Sequence, residues 1–173
     1  MEVRWARHEE ARLIARVQVE SRATAYADFV DPEYLSWLTV ERAEPNWLAR
    51  LEGWPTGHRV LVAVDEGTVL GYAWFFLGDA VGTQCELSHL FVAPEIWGRG
   101  VGTALMAEAE KELTRSGMRE GTLWVYEANE RARRFYEKRG WVDDGGRRTQ
   151  SRGVDITQCR YRKGLHIGSN TVI

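Results

Sequence analysis

Three glycines, Gly98, Gly100 and Gly102, stand two residues apart in PEIWGRGVGTAL, residues 94–105, between a β-rich run and a helical one. Glycine lets a backbone approach a ligand closely and adopt positive φ. Free N–H groups and the positive end of the following helix dipole then favour an anion. Arg99 and the hydroxyl of Thr103 can add donors. The loop therefore offers a grip on pyrophosphate or a similar anion, with a ligand-free glycine turn as the alternative. Two familiar phosphate loops are excluded. No Gly-Lys-Ser/Thr ending is present, and the spacing is G-x-G-x-G rather than G-x-G-x-x-G. A hairpin, not a βαβ unit, also leads into the loop.

Other residues invite chemistry more weakly. Glu86 lies inside the apolar run QCELSHLFV, residues 84–92, where a carboxylate is costly unless it has a function or a partner. Under strict alternation Ser88 and Leu90 share its side and His89 faces the other way, unless a bulge reverses them. His8, His58, His89 and His166 show no metal-ligand spacing, so no metal is expected. Cys85 and Cys159 sit in strand-like runs and read as buried thiols rather than a disulfide. Trp37, Trp47, Trp54 and Trp74 can line a pocket for a cationic amine, although helical spacing favours a role in the core.

The elements that must position these residues follow a definite order. From His8 to about Tyr26, Leu13, Ile14, Val17 and Ala25 recur at helical spacing. Asp31-Pro32-Glu33 opens a second helix, which Pro45 is expected to interrupt before a short piece carrying Trp47, Leu48 and Leu51. The period then changes to two. Strands are expected at 59–64, 68–77 and 84–92, then a helix at 102–115 and a strand at 121–125. Asn129 caps a helix to Arg139, Trp141-Val142 starts a strand, 143–146 turns, and 154–162 returns. The order ααβββαβαββ is that of one mixed α/β domain spanning 1–173.

Composition narrows the class further. The chain has 173 residues, 44% hydrophobic and 28% charged, with a formal charge of -2. That excludes a disordered chain. No run approaches a membrane span, and MEVRWARHEE is no signal peptide, so a cytoplasmic location away from membranes is expected. From Arg131 to Lys163, eleven Lys/Arg face four Asp/Glu. A basic third of this kind suits a phosphorylated cofactor or a solvated surface, and no nucleic-acid motif accompanies it.

The stretch L-F-V-x-P-x-x-W-G-R-G-V-G-x-x-L resembles the GNAT superfamily of acetyl-CoA-dependent N-acetyltransferases, whose loop reads Q/R-x-x-G-x-G/A. Trp97 stands where Gln or Arg is usual. A second family motif is similar to N-E-R-A-R-R-F-Y-E-K-R-G-W, Asn129 to Trp141. The resemblance implies a mostly antiparallel twisted sheet with helices on both faces and a splayed central strand pair. It implies acetyl-CoA as co-substrate, with Leu90, Phe91 and Val92 offering backbone groups to its pantetheine arm. Gly98, Arg99, Gly100, Val101, Gly102 and Thr103 should hold the pyrophosphate, and Asn129 should touch the cofactor. Tyr136 matches the family's general acid and Glu86 its base, with His89 in reserve. The acceptor implied is a primary amine, on a small molecule or a protein N-terminus, and a homodimer is compatible. A non-catalytic acyl-CoA-binding module and a transferase for a larger acyl group are the alternatives.

Overall fold

The computed structural model describes residues 1–53, 57–77 and 84–165. Seven strands form one sheet: β1 (Glu2–Trp5), β2 (His58–Asp65), β3 (Thr68–Phe76), β4 (Gln84–Val92), β5 (Glu120–Tyr126), β6 (Val142–Ser151) and β7 (Asp155–Gly164). Their spatial order is β1-β2-β3-β4-β5-β7-β6. Every neighbouring pair is antiparallel except β4 with β5, which run parallel. Parallel strands need a crossover. The helix α4 (Val101–Arg115) supplies it.

Helices cover both faces. On one, α1 (Ala11–Ala25) and α3 (Val40–Leu51) bury Ile14, Val17 and Trp47 against Val60, Val62 and Tyr72. On the other, α4 packs Leu105, Met106 and Ala109 against Leu61, Ala73 and Phe75. The two sets alternate along β2 and β3, as side chains on a pleated strand must. Two further helices, α2 (Pro32–Trp37) and α5 (Glu130–Glu137), are short. Asp31 caps α2 by accepting from the Glu33 and Tyr34 amides, and Asn129 caps α5 by accepting from Ala132 N–H at 3.1 Å.

The structure corrects three expectations. Pro45 does not interrupt a helix; it lies within α3, and the break falls at Leu38–Thr39. The proline is exposed, so the carbonyl it strands meets water, while Ala43 and Trp47 on the opposite side are buried. Residues 143–146 do not reverse the chain but form a bulge inside β6, and the hairpin turns at 152–154. Asp143 and Asp144 do accept from the amides of Gly145 and Gly146, so the turn chemistry is local to the bulge. Finally β1, absent from the expected order, pairs Glu2–Trp5 with Leu61–Val64 of β2.

Gly71 lets β3 and β4 approach: a Cβ there meets the Phe91 carbonyl oxygen at 2.7 Å and Leu105 Cδ1 at 3.1 Å. Backbone cannot yield as a side-chain tip can. We expect Gly71→Ala to cost about 1–3 kcal/mol, seen as a lower urea midpoint. An unchanged midpoint would show that this contact relaxes freely.

Candidate active site

The β4–β5 ladder ends early. Pairing runs from Gln84–Glu120 to Leu87–Leu123 and then stops, while β4 stays with β3 through Val92. The register between β3 and β4 shifts so that Trp74 opposes His89 and Phe75 opposes Leu87, leaving Ser88 as an extra residue. Such a bulge bends the strand. It also reverses the alternation: Glu86, His89 and Phe91 share the face of Phe76, Trp74 and Tyr72, whereas Leu87, Leu90 and Val92 share that of Phe75, Ala73 and Gly71. Ala93 N–H donates to Leu70, and Phe91 O lies over Gly71, so both turn their backbones toward β3. By the two-residue alternation, Leu90 and Val92 turn theirs into the gap.

A cleft of about 970 Å³ passes through this gap from one face of the sheet to the other. On the α4 side it begins at the glycine loop. Gly100 has φ 88° and precedes the first turn of α4, a conformation that L side chains rarely adopt. Gly98, Gly100, Val101, Gly102 and Thr103 line the cleft, as does Asn129, whose Oδ1 is committed to the cap, leaving Nδ2 as its donor. Arg99 does not: between two glycines of positive φ, its exposed side chain falls outside the lining. Arg139 donates to Thr103 Oγ1 and to Phe135 O, and its guanidinium lies 3.6 Å from the Phe135 ring centroid. Arg131 stacks 3.2 Å over Trp97. Trp97 in turn donates to Val92 O at 2.7 Å, a carbonyl that also accepts from Ser21 Oγ at 2.8 Å. Of the three strand-end residues, then, Leu90 offers both backbone groups to the gap, Val92 its N–H, and Phe91 only a side chain.

Tyr136 projects from α5 into the cleft lining, packed beside Phe135, Trp141 and Tyr161. Burial, with the nearby Tyr26 adding to it, pushes its phenol above the usual tyrosine range. At neutral pH the group keeps its proton.

The α1 face carries the opposite wall. Glu86 accepts from Ser88 Oγ at 3.3 Å, and no ion pair of the described residues involves it. His89 is fully engaged: Arg22 Nη2 lies 3.3 Å from Nε2 and Tyr72 Oη 3.1 Å from Nδ1. A guanidinium can only donate, so Nε2 accepts and Nδ1 carries the hydrogen. Burial, then the charges of Arg22 and Arg50, holds the imidazole well below its usual pKa.

Several residues of the cleft were not singled out by sequence. Trp124, Arg22, Arg131, Arg139, Arg148 and Arg152 all line it, as does Trp97, which sequence marked only as a departure within the loop motif. Of the tryptophans weighed between core and pocket wall, Trp47 takes the favoured core role, fully buried and donating to Gln18, Trp74 packs against Trp47 and His89, and Trp37 is exposed beneath Arg42. Trp54 and His166 lie outside the described residues. Cys85 and Cys159 are buried free thiols. The basic excess also divides. Arg134, Arg147, Arg160, Arg162 and Lys163 form ion pairs, whereas Arg131, Lys138, Arg139, Arg148 and Arg152 line the cleft without one among the described residues. Among those residues no helix is long and apolar enough to cross a membrane, and no acidic, cysteine or histidine cluster could hold a metal ion.

A glycine-lined helix start and a parting between parallel strands are what the acetyltransferase (GNAT) family would place here, and residues 22–141 match that family. The chain belongs to it, and so to the acetyl-CoA-dependent acyltransferases. It is 34% identical over 131 residues to the uncharacterized N-acetyltransferase YuaI of Bacillus subtilis (strain 168), covering 73% of this chain and 72% of that one. It is 26% identical over 148 residues to a spermidine N(1)-acetyltransferase of Thermoplasma acidophilum, covering 83% and 90%. The fold is similar to that of the paia N-acetyltransferase from Thermoplasma acidophilum in complex with coenzyme A, with a TM-score of 0.76, 24% identity and coverage of 94% and 98%.

The state of His89 has a measurable consequence. Its pKa in the folded chain lies below the unfolded value of ~6.5, so the unfolded chain takes up a proton first as pH falls. Its contribution is complete above that pH and declines below it, with a slope of up to ~1.4 kcal/mol per pH unit. We expect the unfolding free energy to fall more steeply with acidification in the native protein than in His89→Gln. Parallel profiles would mean that His89 titrates freely when folded.

Proposed function

We propose that the chain moves an acetyl group from acetyl-CoA to a primary amine by direct attack while both are bound. The observation carrying this reading is the cleft through the sheet, lined from both of its faces, where Leu90 and Val92 turn backbone groups into the gap. The loop fits the co-substrate's phosphates, because amides at the start of α4 and the unpaired Arg131 and Arg139 converge on one arm. That a structural neighbour of this fold was solved in complex with coenzyme A supports acetyl-CoA as the ligand. The spermidine-acetylating relative supports a small amine as acceptor.

Bound acetyl-CoA supplies an activated acetyl thioester. Leu90 N–H, aimed into the gap, donates to the carbonyl oxygen as negative charge develops on it. An alkylammonium with a pKa of ~10 must lose a proton before it can attack, and Glu86, without an ion-pair partner, receives that proton directly or through water. His89 cannot take this role while Arg22 occupies its accepting nitrogen. Instead it is a positioning residue that ties Arg22 to Tyr72. Tyr136 approaches from the other face with its proton retained and gives it to the departing thiolate.

Acetyl-CoA should bind and raise the melting temperature. Gly100→Val forces a branched side chain into positive φ, at a strain of about 1–3 kcal/mol, and should weaken acetyl-CoA by about tenfold or more in calorimetry. Normal binding by that variant would move the phosphate cradle elsewhere. Tyr136→Phe keeps the ring and its packing, so affinity should hold while turnover falls by about tenfold or more. The deficit should narrow for a thioester whose thiol is more acidic. Equal deficits with both thioesters would reduce Tyr136 to positioning, and full turnover would remove it from proton transfer.

A further inference from the structure

The cleft holds more positive charge than its phosphate-binding arm requires. Arg131 and Arg139 stand beside the glycine loop, on the α4 side of the sheet. Arg22, Arg148 and Arg152 lie across the sheet from them. Arg22 belongs to α1, and its guanidinium sits 5.6 Å from the Phe91 ring centroid. Arg148 stacks 4.3 Å over Trp124, and its Nε donates to Gln158 Oε1 at 2.6 Å. Arg152 lies 5.3 Å over Tyr34 and donates to Ser151 O.

All three line the cleft, and none forms an ion pair among the described residues. Their companions are aromatic rings, a neutral imidazole, an amide and a carbonyl, which orient a guanidinium without neutralising it. Arg22 Nε is buried with no partner. On the half-buried Arg22 that unmet donor is costly until an anion meets it, while Arg148 presents an exposed charge to the cleft. The one carboxylate on this wall is Glu86, already assigned to the amine.

We infer that the acceptor amine carries an oxyanion group, a carboxylate or a phosphate, held by Arg22 and Arg148 while its amine faces Glu86. This deepens the transfer reading and rests on it. Guanidiniums match either oxyanion through paired N–H donors. An acceptor with both charges answers both elements of the wall. A polyamine brings positive charge toward three arginines and one glutamate, and like charges there cost affinity.

The test uses the full chain with the α-amino acids and their amides, phosphoethanolamine with ethanolamine, and spermidine. Coenzyme A release and calorimetric binding in the presence of coenzyme A are both read. We expect at least one anionic member to exceed its neutralised counterpart by about tenfold or more in kcat/KM. The amino acid and phosphate pairs separate the two oxyanions. Arg22→Gln and Arg148→Gln should each collapse that preference while acetyl-CoA affinity holds. Should one variant fail to fold, the other still decides.

Three results would overturn the inference: spermidine or the amides turned over best, a preference intact in both variants, or acetyl-CoA affinity falling as steeply as the preference. Anionic amines that bind through Arg22 yet receive no acetyl group would uphold it and refute the transfer reading. No anionic amine binding at all would refute it.

Discussion

Everything at the site depends on two adjacent strands ceasing to pair. In β4 and β5 the ladder holds for four residue pairs and then parts, and the extra residue Ser88 bends β4 away from β5 without releasing it from β3. Unpaired backbone groups in a partly buried gap are costly. The parting persists because other elements hold it open. Ser21 from α1 and Trp97 from the glycine loop both donate to Val92 O, pinning the strand end from opposite sides. What stays unmatched, at Leu90 and at Val92 N–H, is a short edge of strand that water or a ligand must complete.

The bulge also decides which chemistry meets which. One residue more in β4 moves His89 onto the face of Glu86 and sends Leu90 to the face of α4. The proposed proton acceptor, Glu86, and the proposed proton donor, Tyr136, therefore reach the gap from opposite sides of one sheet. Charge follows the same division. Each wall carries guanidiniums laid on aromatic rings, Arg131 on Trp97 and Arg139 on Phe135 at one side, Arg148 on Trp124 at the other. A ring holds a cation in place at ~0.5–1 kcal/mol while leaving its charge available. A carboxylate would have cancelled it, as it does for Arg160 and Lys163 outside the cleft.

Sequence reasoning reached whatever short-range rules govern. The strand 84–92, the glycine loop, the helix after it and the Asn129 cap all follow from local signals and stand where expected. Non-local choices were illegible. The strand β1 is four residues long and forms only because β2 offers an edge. Pro45 survives inside α3 because Ala43 and Trp47 anchor that helix from its other side. The resemblance implied a splayed strand pair, but that the bulge falls at Ser88 depends on the register with β3, which no pattern within β4 encodes. The cation contacts of Trp97 and Trp124 were illegible for a related reason: the arginines above them lie thirty-four and twenty-four residues further along the chain.

Acid strength poses the last question for the proposed chemistry. A phenol pushed above its ordinary range looks too weak to protonate a thiolate whose solution pKa is ~8.5. But the environment that raises the phenol acts on sulfur as well. Cys85, buried elsewhere in the chain, has its thiol pushed up to about 12 by burial first and by Glu120 second. A thiolate released beside Tyr136, away from water, is strengthened as a base by the same desolvation. Donor and acceptor then rise together, and the difference between them, which governs the transfer, stays small. Water entering the gap would stabilise the thiolate and undo that match. Burial of the cleft wall at Leu87, Val125 and Tyr136 is thus part of how a tyrosine can serve as an acid in the proposed transfer, and the apolar lining of the α4 face is as much a chemical requirement as the hydroxyl itself.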